Sequence, residues 1–397
     1  MDAPPVPSLR IGFDATPLRI GQSAGTANYL ARLIEALLTH PSRPQLSLFC
    51  AGGWTPALET RAREWEALAP GRCRVTARWF SRSSWASLGG ARWNPMLPSP
   101  TALTGAVDVF HAGDGAWPRH DATPLVASVL DVTPVLFPAF HTAANRFHHW
   151  RKLRWIRASA RRIQCISHAT SRDVVATVGV PEERIDVIPL ARGLPLSADR
   201  PEARRRIRQL HGLGDHPYIL CTGTLEPRKN HLRLLEAFEI IAAEQPDLHL
   251  VLAGATGWHT STLASRLRRS PVGARIRCVG FCPTEDLWAL YREARLFAYP
   301  SLYEGFGLPL LEAMAVGTPV VTSSVASMPE VAGPAAAYCD PTSVASIAEA
   351  LRAVLEDPAL HGRLAAAGPA RERSFTWERT AELTLASYLR AITPEAV

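Results

Sequence analysis

The chain has 397 residues, a formal net charge of +7, 47% hydrophobic residues and 20% charged residues. A composition this apolar excludes a disordered tail or a fibre, and at about 100–200 residues per domain two domains are expected. The longest apolar runs are of about eight residues, against the roughly 20 that span a bilayer. The opening MDAPPVPSLRIGFD has no charged start followed by a long apolar stretch, so no signal peptide is expected.

In chain order, the first half reads as strand and helix in alternation. Leu9–Phe13 is a predicted strand ending at Asp14, a glycine-containing segment Arg19–Thr26 follows, and a helix runs over 27–38. Leu46–Cys50 and Cys73–Phe80 are further strands around a helix over 57–70. Residues 81–100 read as a loop, with Trp85 and Trp93 in it and Trp79 beside it as aromatics for a lipid or sugar acceptor. Val107–His111, Pro124–Leu130 and Arg162–Ser167 are short strands, with a basic helix over 142–160 before the last. A helix over 170–178 and a strand Ile185–Ile188 complete the half. Residues 190–215 read as a polar boundary.

The second half repeats the pattern. Strands are predicted at Tyr218–Thr222, Leu248–Ala253, Arg275–Val279, Leu296–Tyr299, Pro319–Ser323 and Ala336–Cys339, with helices between, and a helical tail over 359–393. Strand–helix alternation of this kind predicts parallel sheets with helices on both faces, so the fold class is α/β with two doubly wound domains and a cleft between them. The predicted divisions are residues 1–195, residues 196–370, and a C-terminal helix over 371–397 that crosses back to the first domain. In such sheets ligands bind beyond the carboxyl ends of the strands.

Charge is unevenly shared. Residues 1–190 hold 21 Lys/Arg and 14 Asp/Glu, whereas residues 191–397 hold 22 of each. The whole excess lies in the first half, which is therefore expected to face something anionic, unless an arginine-rich composition alone produces it. The helix in HHWRKLRWIRASARR joins Trp150 and Trp155 to Arg151, Lys152, Arg154, Arg157, Arg161 and Arg162. It suits either an anionic membrane surface or a solvated face with two packing tryptophans. The seven cysteines are odd in number, and Cys165, Cys221, Cys278 and Cys339 lie in or beside apolar runs, which predicts buried free thiols in a reducing cytoplasm. Cys278 and Cys282 lack a second pair, and no metal site is expected.

Two segments carry the chemistry. In Pro300–Glu312, a strand leads to Glu304, to glycines on both sides of Phe306, and to Glu312 on the following helix. Glycines let backbone approach a ligand, the helix start offers free N–H groups, and a carboxylate accepts from vicinal hydroxyls. In Cys221–Leu235, Arg228 and Lys229 stand at a strand-to-helix junction, where a planar guanidinium and a compact ammonium suit a diphosphate. RIGQSAGTANYL has neither dinucleotide nor Walker spacing. His111 and His168 follow strands, where either a catalytic or a structural role is open.

The chain resembles family 4 of the retaining glycosyltransferases, which have the GT-B fold of two facing Rossmann-like domains. The resemblance runs through YILCTGTLEPRKNHLRLLEAF, LVLAGATGW and FAYPSLYEGFGLPLLEAMAVGTPVVTSSVASMPEVAG, and through IGFDATPLR, DVFHAGDG, SVLDVTPVLFP and CISHATSRDVVATVGVPEERIDVIPL in the first half. It looks closest to bacterial mannosyltransferases of cell-surface polysaccharide synthesis. It implies that Glu304 meets the donor sugar near its 3- and 4-hydroxyls and that Glu312 holds the ribose. It also implies that Arg228 and Lys229 hold the diphosphate, with Gly305, Phe306, Gly307 and Leu308 giving backbone amides. Thr224 and Ser301 would line the donor pocket, and Gly21 and Gly25 would approach from the first domain. Asp131 and His111 are the first-domain catalytic candidates. No cofactor and no metal are implied.

Three departures stand out. Leu130 replaces the histidine that family members carry before Asp131. Ser23–Ala24–Gly25 replaces Gly-Ile-Gly. Ala191–Arg192–Gly193 replaces Gly-Val-Asp. A leucine at position 130 suits a 6-deoxy sugar or a pentose, or marks weakened activity. The expected function is retaining transfer of a sugar from a GDP-, UDP- or dTDP-sugar, GDP-mannose first, to a saccharide acceptor that is free or polyprenyl-diphosphate-linked. The expected site is the cytoplasm or the inner face of the plasma membrane, with no nucleic acid involved. The alternatives are a small-molecule acceptor and a non-catalytic scaffold.

Overall fold

Apolar runs of four to seven residues, each closed by a turn and followed by a helix with one buried face, build two parallel sheets. The computed structural model describes residues 8–20, 25–78, 98–113, 118, 121–258 and 260–393. Within these the chain forms two units, Met1–Leu190 with Thr376–Val397, and Ala191–Phe375. Among the described residues no helix is long and apolar enough to cross a membrane.

Unit 1 runs β1 (Arg10–Asp14), α1 (Gly25–Thr39), β2 (Gln45–Ala51), α2 (Pro56–Leu68), β3 (Cys73–Arg78), β4 (Val109–Ala112), β5 (Leu125–Val129), α3 (Ala143–Ser159), β6 (Arg162–Cys165), α4 (His168–Val178) and β7 (Ile185–Val187). Short helical turns occupy Pro100–Thr104 and Thr133–Leu136. The strands form one parallel sheet in the order β3-β2-β1-β4-β5-β6-β7. Side chains of Thr55, Thr142 and Ser167 cap α2, α3 and α4 by accepting from amides of the first turn. Phe49, Phe110, Val126 and Ile163 are fully buried, as expected of parallel strands covered on both faces.

Unit 2 runs α5 (Pro201–Leu210), β8 (Tyr218–Thr222), α6 (His231–Glu244), β9 (His249–Ala253), α7 (Ser261–Arg269), β10 (Ile276–Gly280), α8 (Thr284–Glu293), β11 (Leu296–Tyr299), α9 (Leu308–Ala315), β12 (Val320–Ser323), β13 (Ala336–Cys339), α10 (Val344–Glu356) and α11 (Pro358–Glu372). Its sheet is parallel, in the order β10-β9-β8-β11-β12-β13. In both sheets the order reverses beside the first strand of the unit, between β1 and β4 and between β8 and β11. This is the switch point at which doubly wound folds place ligands.

The tail is two helices rather than one. α11 ends near Glu372, and α12 (Trp377–Ile392) starts afresh because Thr376 caps it, its hydroxyl accepting from the Arg379 amide. α12 belongs to unit 1, where it packs on α1 and across β4, β5 and β6. The polar stretch at 190–215 also hides a helix, α5. Only Ala203 and Ile207 of it are buried, and Arg204 and Arg208 pair with Glu293 and Arg206 with Asp286 on α8. Periodicity missed α5 because salt bridges hold it more than apolar burial does. One thiol reading is corrected: Cys278 is exposed, because β10 is an edge strand, while Cys50, Cys165, Cys221 and Cys339 are buried.

Candidate active site

The loops after β8 and β11 meet at the switch point of unit 2, and backbone bonds lock them together. The Leu302 amide donates to the Arg228 carbonyl at 2.8 Å. Asn230 adopts a left-handed conformation (φ 62), which asparagine tolerates, and its side-chain amide donates to the carbonyls of Pro300 (2.9 Å) and Pro341 (2.7 Å). Ser327 Oγ, fully buried, shares its proton between the carbonyls of Glu304 (2.9 Å) and Phe306 (2.7 Å). Gly307 sits at φ 108 just before α9, where a side chain would be strained. Phe306 is buried edge-on against Phe375, with ring centroids 5.7 Å apart.

This frame holds a compact charge network. Arg228 Nη1 donates to Glu304 Oε2 at 2.6 Å and to the Tyr303 carbonyl at 3.1 Å, and its Nη2 donates to Glu226 Oε1 at 2.5 Å. Lys229 Nζ donates to the other oxygen of Glu304, Oε1, at 2.7 Å, and to the Tyr299 hydroxyl. Tyr299 in turn donates to Glu304 Oε1 at 3.0 Å, and its ring lies 4.9 Å beneath the ammonium. Burial penalises the Glu304 carboxylate, but the charges of Arg228 and then Lys229 outweigh it and bring its pKa down to about 2. Burial lowers the Lys229 pKa, and Glu304 opposes that shift.

Glu312, on α9, has a different environment. Its Oε2 accepts from Tyr291 at 2.9 Å, and Tyr291 lies 2.9 Å from Thr222 at the end of β8. Burial pushes the Glu312 carboxyl up to about 7, with the Tyr291 hydrogen bond and the charges of Arg192 and Lys229 offsetting part of it. Gly193 packs so closely that a Cβ there would lie 3.2 Å from Leu308 and 3.5 Å from Glu312 Oε1. The neighbouring Arg192 pairs with Glu372. The site thus combines two cations, Glu304 held ionised between them, Glu226 paired to Arg228, and Glu312 with its carboxyl raised to about 7.

The structure brings together Arg228, Lys229, Glu304, Gly305, Phe306, Gly307, Leu308 and Glu312, all within unit 2. Thr224 is half-buried in the same loop as Arg228. Ser301 is fully buried and its Oγ has no partner among the described residues. Gly25 heads α1, and Gly21 lies outside the described residues, as do Trp79, Trp85 and Trp93. Asp131 is half-buried and accepts from the amide and hydroxyl of Thr133 (3.2 and 2.8 Å). His111 is sealed inside unit 1. Its ring stacks on Phe13 (4.8 Å between centroids), Nδ1 lies 2.6 Å from the Tyr388 hydroxyl on α12, and Nε2 lies 2.8 Å from Ser128 Oγ. Burial drops its pKa to about 3, so it stays neutral. Both ring nitrogens of His111 are thus committed within unit 1, where α12 packs across β4, β5 and β6.

Sequence reasoning missed Glu226, Tyr291, Tyr299 and Ser327. Glu226 and Tyr299 had a signal, since each borders a motif residue at a strand end. Tyr291 and Ser327 had none, because only the sheet order brings α8 and the 327 turn to the site.

Residues 203–371 match the family model described as Glycosyl transferases group 1. O-antigen chain mannosyltransferase B of Escherichia coli is 29% identical over 381 residues, covering 96% of this chain and 99% of that protein. The chain is a glycosyltransferase. The glycosyltransferase is also 32% identical over 238 residues to the serotype-specific mannosyltransferase WbdA of Escherichia coli, a match that spans 58% of this chain and only 29% of WbdA. Its fold is GT-B: the crystal structure of Anabaena Alr3699/HepE in complex with UDP and glucose superposes with a TM-score of 0.68 at 18% identity, covering 96% of this chain and 99% of that one.

Proposed function

We propose that the enzyme transfers a sugar, with retention, from a nucleoside-diphosphate donor to a saccharide or lipid-linked saccharide acceptor in surface polysaccharide synthesis. The observation that carries this is the buried cluster of Arg228, Lys229, Glu304 and Glu312 at the β8/β11 switch point. The donor diphosphate lies against Arg228 and Lys229, which counter the charge that grows on the leaving group. A guanidinium has five N–H donors, so Arg228 keeps its carboxylate partners while meeting phosphate oxygens. Ionised Glu312 takes the ribose hydroxyls. Glu304, held ionised, accepts from sugar hydroxyls, and its exchange between cations and sugar couples the two halves of the donor.

Two cations do the work that a metal ion does elsewhere, and the reaction is proposed to be metal-independent. The relatives named as mannosyltransferases favour mannose, with GDP-mannose as donor. Leu130, which offers no hydrogen bond where family members carry a histidine, favours a second reading: a donor sugar lacking the 6-hydroxyl. The enzyme is placed in the cytoplasm, working on acceptors at the inner membrane face.

A thermal-shift panel of GDP, UDP, ADP and dTDP, each with and without attached sugars, tests the donor class, since ligands that bind only the folded form stabilise it. GDP or UDP compounds are expected to give the largest shift, and joint replacement Arg228→Ala with Lys229→Ala to abolish it. A full shift in the double variant would refute the diphosphate role.

A further inference from the structure

The donor cradle does not account for the positive charge of this chain. That excess lies wholly in residues 1–190, whereas the cradle belongs to unit 2. α3, with the sequence AANRFHHWRKLRWIRAS, contains no acidic residue. Its C-terminal half and the connection from α4 to β7 border an open surface pocket of about 400 Å³ lined by Arg154, Arg157, Ala158, Gly179, Pro181 and Arg184. A second cavity of about 260 Å³ shares Arg154 and Arg157 with the first and adds Val135, Trp150, Leu153 and Val178. The same two arginines line both, and the second sets Trp150 and Leu153 beside the polar Thr177.

The three guanidinium groups are held but not neutralised. Arg157 Nη1 donates to the Val178 carbonyl at 3.1 Å, and Arg184 Nη2 donates to the carbonyls of Arg157 (2.9 Å) and Ala160 at the end of α3. Arg154 lies over the Trp150 ring at 4.6 Å. Among the described residues no carboxylate forms an ion pair with any of the three, although Glu182 and Glu183 are close in sequence. Backbone carbonyls thus fix Arg157 and Arg184 in place while leaving most of their N–H donors unspent and their charges uncancelled. Three cations converge here from two segments with no carboxylate paired to them among the described residues, which forms an oxyanion site, and planar guanidinium groups match phosphate best.

The surroundings choose the form of the phosphate. Trp150 is 48% exposed and Phe147 55% exposed, one turn apart on α3, each beneath an arginine. Half-exposed aromatics beside cations suit the boundary between headgroups and acyl chains, where ring and charge are both satisfied. We propose that unit 1 carries a phosphate-binding site, Arg154–Arg157–Arg184, that seats headgroups of an anionic lipid surface, with Phe147 and Trp150 entering the interface. The site is independent of the donor cradle. It orients unit 1 on a membrane by side chains at a fixed spacing rather than by diffuse charge.

Co-sedimentation of the full chain with vesicles tests it. The protein is expected to bind phosphatidylglycerol–phosphatidylcholine vesicles, not phosphatidylcholine alone, and to be released by salt. Arg154→Glu is expected to weaken binding by about tenfold or more, since each basic side chain near an anionic surface counts for about a fivefold change. Trp150→Ala should weaken it several-fold. Arg63→Glu, the same charge change on α2 of the same unit, should change binding little. Among the described residues Arg154 makes no bond beyond the Trp150 ring, so Arg154→Glu should fold normally and keep turnover on a water-soluble acceptor. Three results would overturn the proposal. The first is no binding of the wild type to anionic vesicles. The second is equal losses for Arg154→Glu and Arg63→Glu, which would mean diffuse charge. The third is a thermal shift with inorganic pyrophosphate, lost in Arg154→Glu, in a protein that ignores vesicles, which would assign the pocket to a soluble anion.

Discussion

The two units place polar side chains at equivalent switch points and use them in opposite ways. Beside β8 and β11, unit 2 gathers full charges: Arg228, Lys229, Glu226 and Glu304 within salt-bridge distance. Beside β1 and β4, unit 1 gathers neutral donors and acceptors: Tyr29, Ser128, His111 and Tyr388 form a chain of hydrogen bonds of 2.9, 2.8 and 2.6 Å. The difference comes from what packs beside these strands. In unit 1 a helix from the far end of the chain, α12, packs across β4, β5 and β6, and burial holds His111 neutral. In unit 2 glycine-rich loops follow β8 and β11, and charges survive by compensating one another. One topology therefore yields a charged cluster or a neutral hydrogen-bonded lock according to the segment laid on it.

The comparison breaks most sharply at Glu304. Glu304→Gln leaves two cations without their shared carboxylate, and removing one partner of a buried ion pair costs about 3–5 kcal/mol. Chemical denaturation should register that loss, with donor turnover falling at least about a hundredfold. Because its folded pKa of about 2 lies below the reference 4.5, the stability Glu304 contributes is present above pH 4.5 and lost as pH falls toward 2. An unchanged denaturation midpoint in Glu304→Gln would remove the compensation argument.

Glu312 tests the other side of the same site. Its pKa of about 7 is raised above the reference 4.5, so its contribution to stability is full below pH 4.5 and disappears as pH rises through 7. Under the proposed role, in which the ionised form grips the ribose, donor binding should run the opposite way. Below about pH 7 the donor Kd should rise by up to tenfold per pH unit, by the same linkage. Glu312→Gln should flatten that profile. A wild-type profile that is level between pH 5.5 and about 8 would refute the carboxylate's role.

A smaller effect is expected at position 130. If Leu130 excludes a 6-hydroxyl contact, Leu130→His should raise kcat/KM several-fold on a 6-hydroxylated donor, because one hydrogen bond contributes about 0.5–1.5 kcal/mol. No gain would argue against the reading that Leu130 sets the donor sugar. The smallest effect belongs to the lock in unit 1. Tyr388→Phe removes one of the two partners of His111 and should cost about 1 kcal/mol of stability while leaving nucleotide affinity in unit 2 unchanged. A large loss of nucleotide binding in that variant would erase the contrast between the two switch points.

The sequence by itself determined the alternation of strands and helices, the two doubly wound sheets, and the two motif segments of unit 2. These are legible because each depends on residues close in the chain. Adjacent Arg228 and Lys229 must project from one junction, and Glu304 and Glu312 flank a glycine turn whose backbone demands are local. Only the tertiary structure decided who their partners are. Glu226 and Tyr299 complete the charge network because β8 and β11 are neighbours in the sheet, and Tyr291 reaches Glu312 only through the packing of α8. His111, whose role the residues alone left open, shows the same limit: its hydroxyl partner Tyr388 lies 277 residues away, and no local pattern announces that α12 packs across β4. Spacing along the chain fixes which groups share a turn, but burial and pairing, which set charge state and hence chemistry, are properties of segments that meet only when the chain has folded.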